Sequence, residues 1–282
     1  MIDSHVHLNR EEFDGEVAGV LARARAAGVT GFLNVGYDLV SSHESIALAT
    51  AHPEIRATVG VHPHDAGMLA DAAGTITARG REILAELADL SVRPEVVGIG
   101  EIGLDFFRDL SPRPAQYAAL TAQLELAERV GLPVVLHVRD AWSETLAHLD
   151  QVGLPARRGV LHAFSGDEAA VHWARERGFL LGIGGPVTYK KSHLPELVTL
   201  AGVELLLLET DAPWLPPVPF RGQRNESAHL VHTRERVAEL VGLSVPAVDE
   251  RTTANFQRMF ARRPAPMNQD TATGTTAAPD HR

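Results

Sequence analysis

The sequence predicts an α/β protein built as a closed (β/α)8 barrel, and three observations carry that expectation. Apolar, strand-like runs alternate with amphipathic stretches from the first residue to about Val241. Eight of each are legible, a number that suits a closed barrel of about 250 residues better than an open sheet. The runs are near-continuously apolar, as in Leu205-Leu206-Leu207-Leu208, which is the pattern of parallel strands buried on both faces.

Taken in order, the chain opens on a strand at 2–7, and a helix follows at 12–27 with Gly28 just past its end. The second strand, 31–35, precedes a helix at 42–51, and the third, 55–61, precedes one at 75–90. A fourth strand at 96–101 leads to a helix at 114–130, which Gly131 ends where a left-handed residue is wanted. The fifth pair is 133–137 and 142–152, closed by Gly153, and the sixth is 159–162 and 167–177, closed by Gly178. The seventh pair is 179–183 and 194–200, and the eighth is 205–209 and 226–241, ended by Gly242. A further C-terminal helix at 245–260 is expected to pack outside the barrel. Residues 262–282, rich in Thr, Ala and Pro, read as a disordered tail, so the expected division is one barrel domain, 1–261, and the tail.

With 45% hydrophobic and 22% charged residues the composition is that of a globular protein with a large core. No apolar run approaches the roughly 18–20 residues that span a bilayer, and the start does not read as a signal segment, so a cytoplasmic location without membrane association is the expectation. Zero Cys excludes a disulfide framework and thiolate chemistry. A net charge of −10 argues against a broad basic face that wraps nucleic acid, while leaving room for a local cationic pocket.

Chemistry concentrates at the ends of the strand runs. In His5-x-His7, residues two apart on a strand send both imidazoles to one side, a ready pair of ligands for a divalent metal. His62, Glu101, His137, His162 and Asp211 each close a later run. A single histidine so placed is more often a hydrogen-bonded core residue, but the repetition at separate strand ends needs a common cause. Catalytic groups of barrels gather at the C-terminal mouth, and imidazoles mixed with carboxylates suit two borderline divalent ions sharing one carboxylate. The residues themselves thus specify a metal-assisted hydrolase. Asp105 reads equally as an acceptor orienting a ligand or as a turn residue, and Glu209, two before Asp211, as a group that orients a ligand or the attacking water. Arg139 and Asp140 read as a local ion pair, and His64, His229 and His232 as surface residues. Lys190, Lys191, Arg221 and Arg224 follow the seventh and eighth strands, where barrels commonly hold phosphate. No stripe of basic residues interleaved with aromatics, as long single strands require, is visible along the sequence.

The motifs Asp3-Ser4-His5-Val6-His7-Leu8, Gly60-Val61-His62-Pro63-His64 and Gly98-Ile99-Gly100-Glu101-Ile102-Gly103-Leu104-Asp105 carry a family likeness. So do Leu136-His137-Val138-Arg139-Asp140-Ala141, His162-Ala163-Phe164-Ser165-Gly166, Leu208-Glu209-Thr210-Asp211-Ala212-Pro213, the stretch 221–226, and Asn255-Phe256. In order and spacing, from Ile2 to about Phe260, the chain resembles the TatD-type metal-dependent hydrolases of the amidohydrolase-like TIM-barrel group. The resemblance implies one metal held by His5, His7, Glu101 and Asp211 and a second by Glu101, His137 and His162. Phe106 and Ala163 depart from residues common in that group, a hydroxyl-bearing aromatic and a Cys. It further implies a deoxyribonuclease acting on DNA ends, a 3′–5′ exonuclease on single strands, with Asp211 taking the proton of the attacking water and His62 contacting substrate. Arg221, Arg224 and Lys190 would then meet phosphate. Zn²⁺, Mn²⁺ and Co²⁺ suit the ligands, and Mg²⁺ suits them less. Hydrolysis of an amide or ester, such as a D-aminoacyl-tRNA, is the alternative activity, and a metal-binding scaffold without catalysis is a third. No obligate protein partner is implied.

Overall fold

The apolar runs become eight parallel strands in chain order: β1 (Ile2–Val6), β2 (Gly31–Val35), β3 (Ile55–Val59), β4 (Val96–Asp105), β5 (Val134–Arg139), β6 (Gly159–Leu161), β7 (Leu180–Ile183) and β8 (Leu206–Leu208). The computed structural model describes residues 1–261, so the tail expected at 262–282 lies outside the described residues. Between the strands run α1 (Val17–Ala26), α2 (Leu39–Ala51), α3 (Ala78–Ser91), α4 (Arg113–Val130), α5 (Trp142–Val152), α6 (Glu168–Arg177) and α7 (Leu194–Ala201). α8 (Leu230–Val241) follows β8, and the extra helix is α9 (Val245–Phe260). Among the described residues no helix is long and apolar enough to cross a membrane.

The seam between β8 and β1 closes the ring into a TIM barrel. Val6 pairs with Ala212 just beyond β8, the Asp211 N–H donates to the His5 carbonyl at 2.9 Å, and the His7 N–H donates to the Ala212 carbonyl at 2.9 Å. Asp3, fully buried, reinforces the seam by accepting from the Thr210 N–H (2.9 Å), the Thr210 hydroxyl (2.6 Å) and the Ser227 hydroxyl (2.7 Å). Burial is the main cause that pushes its carboxyl up to about 7, with these donors opposing it.

Two apolar clusters follow from the strand period of two. The larger joins strand residues such as Phe32, Ala57, Val134 and Leu136 to the surrounding helices. The smaller gathers Leu33, Val97, Val135, Val160, Leu180 and Leu207 with Phe256, Met259 and Phe260 of α9. α9 therefore plugs the N-terminal end of the barrel and does not merely pack on its flank. The alternation positions the chemistry: two residues beyond Val135, Val160 and Leu207, on the same face, come His137, His162 and Glu209.

Several element boundaries differ from the sequence pattern by a few residues, and two of the differences have a clear physical reason. β4 runs four residues past its expected end, so Glu101 sits inside a strand; the register shifts between Ile99 and Ile102, and the glycines at 98, 100 and 103 interrupt the apolar run that would have shown its length. The first helix begins at Val17, because buried Phe13 anchors a separate 3-10 turn, Glu11–Phe13, ahead of it.

Candidate metal centre

Every strand-end candidate named from the sequence except the cationic loop residues converges on one cluster at the C-terminal mouth. His5 Nε2 and His7 Nε2 lie 3.1 Å apart. Glu101 Oε2 is 3.5 and 3.7 Å from these two nitrogens, and Asp211 Oδ1 is 3.8 and 3.6 Å from them. Bonds of about 2.0–2.2 Å to one ion would put adjacent tetrahedral ligands roughly 3.3–3.6 Å apart, so these four atoms stand at the spacing of a coordination shell. The other oxygen, Glu101 Oε1, faces a second group: His137 Nδ1 at 2.9 Å, His162 Nε2 at 2.9 Å and His62 Nε2 at 3.5 Å. The carboxylate of Glu101 is thus divided between two sets of imidazoles. Three sets of ligand atoms within 4.8 Å of one another occur among the described residues: His5, His7 and Asp211; His62, Glu101 and His137; His5, His162 and Glu209.

Hydrogen bonds at the outer ring nitrogens fix which nitrogen is free to bind a cation. His7 Nδ1 faces the Val35 carbonyl at 3.2 Å and so carries the proton, leaving a lone pair on Nε2. His137 Nε2 donates to Asp105 Oδ2 at 3.1 Å, leaving the lone pair on Nδ1, which points at Glu101. His162 Nδ1 lies 3.5 Å from Glu209 Oε1, which leaves Nε2 against Glu101. A lone pair 2.9 Å from a carboxylate oxygen is repulsive unless a positive charge stands between them. In the metal-free protein that charge is a proton. Burial opposes it, but hydrogen bonding to Asp105 and Glu101 raises His137, and the Glu101 charge with Glu209 holds His162 well above the usual imidazole range. Burial likewise opposes ionisation of Glu101, yet the neighbouring His162 and His62 hold its carboxyl well below the carboxylate range. His5 Nδ1, both ring nitrogens of His162 and Glu209 Oε2 are buried without an aligned hydrogen-bond partner. A donor set of this kind, convergent, buried and short of partners, fits divalent cations.

His62 is different. Its Nδ1 accepts from the His64 N–H at 3.1 Å, so the neutral ring carries its proton on Nε2. Burial pushes this imidazole down to about 4, against the pull of Glu101, so it is neutral near pH 7. Binding a cation through Nε2 would move the proton to Nδ1 and set it against the His64 N–H. His62 is built as a donor pointing into the centre.

Supporting residues separate into those anticipated and those not. Asp105 accepts from His137, from His64 Nε2 at 2.9 Å, and from the N–H groups of Phe107 and Arg108 at 3.0 and 2.7 Å, so His64 packs into the site and does not face solvent alone. Glu209 Oε1 also accepts from the Ala163 N–H at 2.6 Å, tying the turn after His162, where Ala163 takes a left-handed φ of 42°. Only a glycine at 182 leaves room for that carboxylate, since a Cβ there would lie 2.0 Å from Glu209 Oε2. No Arg139–Asp140 ion pair forms among the described residues; Arg139 stacks over Phe107 at 3.9 Å.

The cationic loop residues spread out. Arg224 donates to the Glu12 carbonyl and to Glu16 Oε2 (2.8 Å), and it lies over Phe13, so its charge is already partnered. Arg221 is exposed and stacks over Tyr189 at 4.4 Å, and Lys190 is exposed beside it in sequence. A cation absent from the sequence reading stands nearer the centre: Arg10 lies over the rings of Tyr37 (5.6 Å) and Trp214 (5.4 Å). The three residues come from loops after β1, β2 and β8, so no stretch of sequence shows them together.

The family model of TatD-related DNases matches residues 2–261. An uncharacterised metal-dependent hydrolase, YabD of Bacillus subtilis, is 35% identical over 261 residues, covering 92% of this chain and 98% of its own. The 3′–5′ ssDNA/RNA exonuclease TatD of Citrobacter rodentium is 38% identical over 267 residues, covering 92% and 97%. The crystal structure of YjjV, a TatD homologue from Escherichia coli, superposes with a TM-score of 0.83 at 31% identity, covering 93% of this chain and 98% of that one.

Proposed function

The chain belongs to the TatD-related DNase family and is a metal-dependent hydrolase of phosphodiester bonds; on that premise we propose that it is a 3′–5′ exonuclease on single-stranded DNA ends, working with two divalent ions. The observation that carries the two-ion reading is the division of Glu101, with Oε2 facing His5 and His7 and Oε1 facing His137 and His162. His5, His7, Glu101 and Asp211 would hold one ion, and Glu101, His137 and His162 would hold the other. Bound there, such a pair polarises the phosphate and makes a water acidic enough to lose its proton near neutral pH.

The remaining roles belong to the side chains. Asp211, whose side chain is 14% exposed against 5% for Glu101, is the carboxylate that the attacking water reaches, and it takes the proton. His62 presents its Nε2–H to a phosphoryl oxygen and, being neutral, adds no positive charge that would repel the ions. Asp105 holds His137 in the required tautomer through its hydrogen bond, and the Glu209 carboxylate, 3.5 Å from His162 Nδ1, favours a proton on that nitrogen. Lys190 and Arg221 remain available to the outer phosphates of the strand, whereas Arg224 serves mainly to hold the loop after β8 against Glu16.

The test is product analysis on end-labelled oligonucleotides. Mononucleotides should be released in sequence from the 3′ end, chelation should stop the release, and a divalent ion should restore it. Full turnover after verified metal removal would sink the mechanism. Faster cleavage of an acylated tRNA or a simple ester than of DNA would favour the acyl-hydrolase reading, because the same donors can polarise a carbonyl.

A further inference from the structure

Beside His7, the mouth of the barrel carries a partly open aromatic group that the hydrolysis itself does not use. Trp214 is 42% exposed, and its ring meets the edge of the His7 ring at 5.2 Å between centroids. Tyr37 meets His7 in the same manner at 5.6 Å. Arg10 lies over both rings and donates from Nη1 to the Tyr37 hydroxyl at 3.2 Å, while Glu12 approaches its Nε at 3.5 Å. The loop bearing Trp214 is held in place, since its N–H donates to the Asp211 carbonyl at 2.9 Å and its carbonyl accepts from Asn225 Nδ2 at 2.7 Å. A large ring in a fixed orientation, open to solvent, against a candidate metal ligand and carrying a guanidinium, is the arrangement that receives an unpaired base and its phosphate.

We propose that Trp214 is the stacking platform for the terminal nucleobase and that Arg10, propped by Tyr37, supplies positive charge to that nucleotide's phosphate. The inference rests on the exonuclease reading and deepens it, because it names the part of the substrate that selects the chain end. Any of the four bases offers a π face, so the subsite is indifferent to sequence. It requires an unpaired terminus, since a paired terminal base is held in the duplex by its hydrogen bonds and by the one neighbour it stacks on, and its partner strand stands in the way of the narrow mouth.

The experiment compares KM for a single-stranded oligonucleotide with a normal 3′-terminal nucleotide and for one with an abasic 3′ terminus, using the metal-loaded protein. Wild type should favour the base-bearing end by about tenfold, the scale of one stacked base. Trp214→Ala should bring that ratio close to one, and Trp214→Phe, which keeps a ring, should restore most of it. Arg10→Gln should lower the log–log salt slope of binding by about 0.7, the share of one single-strand phosphate contact, with Arg10→Lys retaining it. A Trp214→Ala variant whose KM rises equally on both substrates overturns the stacking role, and an unchanged slope in Arg10→Gln overturns the phosphate contact. A wild-type protein that removes nucleotides from neither substrate overturns the exonuclease reading itself, which is a separate result.

Discussion

At the scale of the residue, the decisive fact is that two buried imidazole lone pairs face one carboxylate. In the metal-free protein His137 and His162 bind protons more tightly than free imidazoles, so their protons stabilise the fold below about pH 6.5 and that contribution is lost as pH rises through their raised values. Metal binding must displace those protons. Titration calorimetry near pH 7 in buffers of different ionisation enthalpy should show about one to two protons released per chain, and apparent metal affinity should increase with pH. A binding enthalpy independent of buffer would contradict the extra protons assigned to His137 and His162 in the metal-free protein. Glu101→Ala should reduce bound metal from about two ions per chain to near none, whereas His162→Ala should keep about one; elemental analysis reads both. The metal-ligand candidates were legible because period two and strand ends place them in sequence. The expectation that His62 contacts substrate and binds no metal came without a cause; the tautomer that suits it to that part is set by the His64 N–H, a backbone group with no sequence signal. Arg10 was missed because its partners lie about 27 and 204 positions away along the chain, distances at which only folding brings rings together.

At the scale of the element, the sequence shows where strands and helices lie and is blind to how two of them fit. β4 was read short because its glycines hide the strand, yet one of the same class of residues explains the centre: Gly182 in β7 is the space that Glu209 fills. Gly182→Ala should force that carboxylate aside, release the Ala163 N–H and cost about 1–3 kcal/mol, read from the urea midpoint, with weaker metal binding at the His162 side. The seam offers a second test. Asp3→Ala would strip partners from the Thr210 N–H, the Thr210 hydroxyl and the Ser227 hydroxyl. Each buried group left unsatisfied costs about 1–3 kcal/mol, and removal of a buried carboxyl returns part of it, so a net loss of about 2–4 kcal/mol is expected in denaturant unfolding. Wild-type stability in that variant would mean that the strand pairing at Ala212 closes the barrel unaided. Nothing in Asp3-Ser4-His5 separates the seam role of the aspartate from the proposed ligand role of the histidine two places on.

At the scale of the whole molecule, the barrel alternation was the most legible feature, because eight repetitions of one period outweigh any single ambiguous run. The plug formed by α9 was not legible, since an amphipathic helix shows that it has an apolar face and not which surface it covers. Because the proposed ligands come from β1, β4, β5, β6 and the segment after β8, bound ions tie distant parts of the ring together. At metal concentrations of 100 times Kd the linkage adds about 2.7 kcal/mol, so chelation should lower Tm by roughly 5–10 °C, and the shift should vanish in Glu101→Ala. The same spread of ligands sets a schedule for biosynthesis. At about 5–20 residues per second, the roughly 200 residues between His7 and Asp211 take on the order of 10–40 s to translate. The first two ligands leave the ribosome long before the carboxylate that completes their set, and the bottom of the barrel stays uncovered until α9 has been made. The nascent chain therefore holds neither a complete centre nor a sealed core until both Asp211 and α9 have been made.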